Sequence, residues 1–254
     1  MTTTPNASAT QREPELSGQI VVVIGGSAGI GLETARRART GGADVILTGR
    51  NPERLERAAA ELGALSSAAF DATDAVALDR FFQNLPERID HVMVTAGGPY
   101  YARLADLDRE RAHRNFDEHL WLSIAVAQHA VGRVRPGGTL IFMGGTGGRR
   151  RGPGLSLIAA GTAALPALIA NLAVEVAPIR VNLIAAGFVD TPLSASLLGD
   201  DLEARRDQLR ATLPIRRVVG PADIAALAVH IMTNRALTGA TYDIDGGQQL
   251  VSGA

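Results

Sequence analysis

The chain has 254 residues, 46% hydrophobic and 20% charged, a mix that excludes a disordered or fibrous polymer and suits one sizeable α/β domain. Its 25 basic and 26 acidic residues leave a formal charge of −1, so no net electrostatic pull toward nucleic acid or acidic lipid is expected. Cysteine is absent, which excludes disulfides, thiolate metal sites and a cysteine nucleophile, and every basic residue is arginine, so no lysine can form a Schiff base, act as a base or clamp a phosphate.

The opening residues (MTTTPNASATQREPELSG) are polar and carry no apolar run of the secretory kind. Residues 1–17 are therefore expected to be a disordered tail and residues 18–254 a single domain, with a cytoplasmic location by default. No stretch approaches the ~20 unbroken apolar residues of a membrane span, so no membrane contact is expected. Residues 19–25 (QIVVVIG) form a β-branched run suited to a strand buried on both faces. A helix over 28–40 ends at Gly41-Gly42, a strand covers 44–48, and Asn51 with Pro52 opens a helix to 62. A short strand at 67–70 precedes a helix that Thr73 or Asp74 opens, ending near 84. A strand at 89–95, a long helix over 108–134, a strand at 139–143 and a very apolar helix over 155–177 follow. The last elements are a strand at 179–184, one or two polar helices within 193–213, a helix over 221–233 and a strand at 240–244. Such alternation predicts a Rossmann-like, doubly wound parallel sheet with helices on both faces, in one α/β domain.

Chemistry concentrates where the first strand meets the first helix. Gly25, Gly26, Ser27, Ala28, Gly29, Ile30 and Gly31 make a glycine-rich junction. There the backbone can approach a pyrophosphate, and a helix N-terminus offers free N–H groups. A packing turn is the alternative. At the end of the second strand stand Gly49, Arg50 and Asn51. An acidic residue there would accept from a ribose 2′-hydroxyl, whereas the Arg50 guanidinium suits a 2′-phosphate, favouring NADP over NAD. A solvated surface arginine is the alternative.

These features, with several later ones, resemble the short-chain dehydrogenase/reductase family over about residues 18–250. Gly25 to Gly31 match its glycine motif, with Ile24 where a threonine usually stands. Asp71-Ala72 resembles the Asp-Val pair that holds the adenine, and Val94-Thr95-Ala96-Gly97 the Asn-Asn-Ala-Gly motif with both asparagines replaced. Residues 179–182 (IRVN) with Ala186-Gly187-Phe188-Val189-Asp190-Thr191 are similar to the stretch that holds the nicotinamide carboxamide, with Ala186 for the usual proline. Asp245-Gly246-Gly247 matches the closing Asp-Gly-Gly. The resemblance implies NADP held by Gly25, Ser27, Ala28, Gly29, Ile30, Gly31, Arg50, Asn51, Asp71, Ala72, Thr95, Ala96, Gly97, Gly187, Val189 and Thr191.

The family's Asn-Ser-Tyr-Lys catalytic set is where this sequence departs. The alignment puts His119 at the Asn position, Gly145 at the Ser, Ile158 at the Tyr and Thr162 at the Lys. No lysine occurs at all, and tyrosine stands only at 100, 101 and 242, so no shift of register restores the pair. Losing general acid catalysis typically costs about 10²–10⁴-fold without forbidding hydride transfer. His119 and Tyr100 are the candidate replacement proton donors, with Tyr101 beside them. Helix and packing roles are their alternatives. Arg149-Arg150-Arg151 could attract an anionic substrate or partner, or be a solvated charge run. The histidines show no ligand spacing, so no metal site is expected.

Two functions follow as expectations. One is an NADP-dependent oxidoreductase acting on a carbonyl or activated double bond with a non-standard proton donor, its small-molecule substrate unidentified. The other is an inert NADP-binding sensor or partner subunit. A scaffold for some other ligand is a third. The resemblance also implies a homo-oligomer, dimer or tetramer, or a hetero-oligomer with an active relative.

Overall fold

The computed structural model describes residues 15–149 and 151–251. Seven strands form one parallel sheet: β1 (Ile20–Ile24), β2 (Asp44–Gly49), β3 (Ser66–Ala69), β4 (Ile89–Val94), β5 (Val134–Gly145), β6 (Arg180–Ala186) and β7 (Thr241–Ile244). Their order is β3-β2-β1-β4-β5-β6-β7. The chain builds outward from β1 to β3, then returns to β1's other side with β4, so the order reverses between β1 and β4. In such sheets the crevice outside the carboxyl ends of the strands at the reversal is the place a ligand can enter.

The helices are α1 (Gly29–Thr40), α2 (Pro52–Leu62), α3 (Ala75–Gln83), α4 (Arg109–Phe116), α5 (Leu122–Ala130), α6 (Ser156–Glu175), α7 (Pro192–Leu198), α8 (Leu202–Thr212) and α9 (Pro221–Thr233). Successive strand residues point to opposite faces. Val22, Ile24, Val92 and Val94 pack with α3, α5 and α6 on one face, and Val21, Val23 and Met93 with α1, α2 and α9 on the other. This is the expected doubly wound α/β fold. One helix among the described residues, α6, is long and apolar enough to cross a membrane by length and composition. Here it buries Ile158, Leu165, Ile169 and Leu172 within the domain.

Three expectations shift. The long helix expected over 108–134 is broken: α4 passes through a π-helical turn, Asp117–Trp121, into α5, and Gly132 at φ 82 ends the segment. Strand β5 begins at Val134, five residues early, because Val134 pairs with Ile89 across a bulge. The tail is the third. Residues 1–14 lie outside the described residues, as do 150 and 252–254, but within 15–17 Leu16 is fully buried among Val45, Ala38 and their neighbours. Its N–H donates to the Gly41 carbonyl at 2.8 Å. The domain therefore begins before residue 18, since an apolar side chain beside the α1–β2 turn gains more from burial than the segment loses in freedom.

At the sheet's amino edge, Arg180 is 6% exposed. Its guanidinium donates to the carbonyls of Gly137, Ile231, Met232, Asn234 and Leu237 and to the Thr139 hydroxyl. Those include the carbonyls that α9 leaves unpaired at its end, so a buried cation and orphan acceptors satisfy one another. Burial, aided by the Arg180 charge, pushes the His91 imidazole down to about 3, so it stays neutral with Nε2 against Gln19 Oε1 at 2.7 Å.

Leu16→Ala should lower the unfolding free energy by about 2–5 kcal/mol, the range for emptying a core leucine site. Urea denaturation checks this; an unchanged midpoint would mean that residues 15–17 contribute no packing.

Candidate active site

The site grows from the turn between β1 and α1. Gly25 sits at φ 98, a conformation that disfavours a side chain. A Cβ on Gly31 would stand 2.3 Å from the Gly25 carbonyl oxygen and 2.5 Å from Thr95 Oγ1. Thr95 in turn donates its hydroxyl to that same carbonyl at 3.1 Å. The Gly26 N–H donates to the Thr48 carbonyl at 2.8 Å. The turn is thus sewn to β2 and β4 by backbone and threonine contacts alone. Ala28, the residue before α1, supplies no side-chain cap, so the first-turn N–H groups of α1 lack the partner that a serine or aspartate would provide.

Beside this turn lies a groove of about 320 Å³. It gathers Gly25, Ser27, Ala28, Gly29, Ile30, Gly31, Arg50, Asp71, Ala72, Thr95, Ala96, Gly97 and Thr191, most of the residues expected to hold a cofactor. Asn51 is the exception: it lines neither this groove nor the adjoining cavity, and its Oδ1 accepts the Arg54 N–H at 2.7 Å as the cap of α2. The side chain of Arg50 is 64% exposed, with its nearest carboxylate, Glu118, at 4.0 Å. Arg54, one helical turn on, lines the same groove.

Two residues here escaped the sequence reading. Arg114 donates to Asp71 Oδ2 at 2.6 Å and to Glu118 Oε1 at 3.2 Å. Glu118 Oε2 accepts the Gly98 N–H at 3.2 Å. Together they tie the end of β3, helix α4 and the loop after β4. Burial alone would push the Asp71 carboxyl up, but hydrogen bonds from the Thr73 N–H and hydroxyl and from Arg114 outweigh it and hold the carboxyl low. Only the four-residue spacing of Arg114 and Glu118 on a helix signalled this pairing.

A second cavity, of about 650 Å³, opens from the groove. Ile30, Thr95, Ala96, Gly97, Glu118 and Thr191 line both, so the two are contiguous. Gly187 and Val189 belong to this cavity. Their loop is held by Phe188 N–H donating to Gln248 Oε1 at 2.9 Å, and Asp245 caps the turn that carries Gln248. His119, Gly145, Ile158 and Thr162 all line it too, so the fold brings those four positions to one place. Ile158 is apolar and buried. The Thr162 hydroxyl donates back to the Ile158 carbonyl of its own helix at 2.7 Å. Neither residue offers the cavity a titratable group.

His119 and Tyr100 do. His119 stands in the π-helical turn, its Nδ1 at 2.7 Å from the Asn115 carbonyl. A carbonyl only accepts, so Nδ1 carries the hydrogen and Nε2 is the nitrogen able to take up and release a proton. Tyr100 is buried; its phenol oxygen accepts the Asp108 N–H at 3.0 Å, which leaves its own O–H to donate. The Arg111 guanidinium lies 4.4 Å above the Tyr100 ring centroid. Tyr101 lines the cavity as well but is 55% exposed. Of the arginine run, Arg149 is paired with Asp243 and Gln249, Arg150 lies outside the described residues, and Arg151 is exposed and lines neither cavity. No group of three or more His, Asp or Glu side chains able to hold a metal occurs among the described residues.

Residues 25–249 match the family model described as enoyl-(acyl carrier protein) reductase. The chain belongs to the short-chain dehydrogenase/reductase family. Within it, the chain is similar to oxidoreductase UcpA of Salmonella typhimurium, 30% identical over 259 residues that cover 93% of this chain and 96% of that protein. It is also similar to the solved MalC reductase/Diels-Alderase of Malbranchea aurantiaca, with a TM-score of 0.87 and 26% identity over 94% of this chain and 99% of that one. A small-chain dehydrogenase solved in complex with NADPH superimposes with a TM-score of 0.79 and 27% identity, over 92% of this chain and 99% of that one. The matched family segment begins at the glycine turn.

Gly31→Ala should force the turn open and cost about 1–3 kcal/mol, the usual penalty for overpacking. A thermal melt tests it, and a wild-type midpoint would contradict the close approach of residues 25 and 31.

Proposed function

We propose that this short-chain dehydrogenase/reductase binds NADPH in the groove and reduces a carbonyl or an activated double bond in the adjoining cavity. The observation that carries this reading is the continuity of the two spaces. The groove bears Arg50 and Arg54 at its β2 end, and the cavity bears His119 and Tyr100 at the other. The residues present fit the cofactor. The glycine turn leaves open backbone beside uncapped N–H groups, as a pyrophosphate requires. No carboxylate stands at the carboxyl end of β2, so a 2′-phosphate there meets the Arg50 guanidinium. NADPH-bound relatives of the same fold support the choice of cofactor. When bound, NADPH would supply the hydride.

The chain's own residues divide the remaining work. The Gly187 to Val189 loop and Thr191 flank the place where groove meets cavity and would seat the nicotinamide end. Ile158 excludes water from one wall. The proton reaches the substrate from His119 Nε2 or the Tyr100 phenol, in place of a tyrosine on α6. Because His119 Nδ1 is held by the Asn115 carbonyl, uptake and release of the proton at Nε2 need no rotation of the ring. The same reading includes a homo-oligomer, because Trp121 and Val174 are 63% and 78% exposed and large apolar side chains in solvent suit a subunit contact.

Cofactor choice is tested by calorimetry with NADPH and NADH. Arg50→Ala should weaken NADPH binding about 10-fold or more, as loss of a charge-assisted hydrogen bond does, and leave NADH binding nearly unchanged. Equal weakening of both would remove Arg50 from the phosphate site. Turnover is tested by NADPH consumption across a panel of carbonyls and enones. His119→Ala or Tyr100→Phe should lower kcat about 10²–10⁴-fold if that group is the proton donor, and activity untouched by either substitution would discard both assignments. The second reading, an inert NADPH-binding sensor or partner subunit, draws support from Ile158 and Thr162, which offer neither proton nor charge. Tight NADPH binding with no turnover on the panel would favour it.

A further inference from the structure

We propose that the molecule received by the cavity adjoining the groove is apolar and carries a carboxylate, and that Arg111 at the mouth recognises it. This rests on reading that cavity as the substrate pocket. Apolar side chains line much of it: Phe142 on β5, Ile158 on α6, and Leu193 and Leu197 on α7. Such walls favour a hydrocarbon body over a sugar or a nucleotide. Arg111 and Arg205 line the cavity from α4 and α8, and Glu118 is its lining carboxylate. Glu118 is already engaged by Arg114 and by the Gly98 N–H and makes no ion pair with Arg111 among the described residues. The carboxylate nearest Arg111 in sequence, Asp108, spends its Oδ1 on the Arg111 backbone N–H at 2.8 Å. No ion pair holds the Arg111 guanidinium among the described residues.

What holds Arg111 in place is the face of Tyr100, 4.4 Å from guanidinium to ring centroid. Stacking on an aromatic ring pre-orients the planar cation and leaves its edge donors available. A planar fork with unused donors is matched by a carboxylate, which it binds through two parallel hydrogen bonds. Arg205 on α8 donates to Gln208 Oε1 at 2.7 Å and lies 5.9 Å from the Phe188 ring centroid. The anion is thus met at the rim while the hydrocarbon body reaches inward past the leucines toward Ile158 and His119.

The test compares two probes of equal chain length, octanoate and 1-octanol, by titration calorimetry on the full chain with and without NADP+. Octanoate should bind about 5-fold more tightly than octanol, as befits a partly exposed ion pair, and added salt should narrow the gap. Arg111→Gln should abolish the preference and leave octanol binding unchanged. Equal affinity of the two probes, failure of octanoate to bind, or a preference that survives Arg111→Gln would each overturn the assignment. Titration of NADP+ into the same samples reports the cofactor reading separately, so loss of one does not masquerade as loss of the other.

Discussion

The contact between residues 25 and 31 governs the rest of the molecule. Strand β1 must turn into α1 within a few residues while β4 passes alongside, and space remains only if neither glycine carries a side chain. That approach sets the N-terminus of α1 at the reversal of strand order. Everything with chemical potential is then placed around it: the arginines after β2, the carboxylate after β3, the loop after β4 and the segment after β6. A parallel sheet brings all these strand ends to one edge by construction. The glycine turn decides how close a ligand can come to them.

Arginine shapes the electrostatics, since no lysine is available. A guanidinium keeps its charge and can satisfy several acceptors at once. Arg180 does this in the interior, where carbonyls at the end of α9 surround it. Arg114 does it at the groove, where it bridges Asp71 and Glu118 and offsets one of their two negative charges. Arg50 and Arg111 are left facing the groove and the cavity. A guanidinium that keeps its proton is a poor acid or base, and among the residues lining the cavity His119 and Tyr100 carry groups of the proton-exchanging kind. The π-helical turn matters for the same reason: it carries Glu118 toward Gly98 and His119 into the cavity from adjacent positions.

Much of this was legible in the order of residues. Strand and helix periodicity marked the β-α alternation, and Asn51-Pro52 marked the start of α2, because short-range sterics and capping act within a few residues. The glycine turn, Arg50 and the Asp71-Ala72 pair could be placed on the groove because each follows a strand end, and parallel strands share one edge. The absence of lysine, and of tyrosine between 102 and 241, is a matter of composition that no fold can alter. Tertiary structure alone decided the remainder. It left Asn51, already legible as a helix cap, outside the groove, and it drew Leu16 into the core from a segment that reads as polar tail. It also joined Arg114 to Asp71 across 43 positions and laid Arg111 on Tyr100. Those outcomes depend on which surfaces meet after the sheet has closed, and a contact between distant segments leaves no periodic trace in either one.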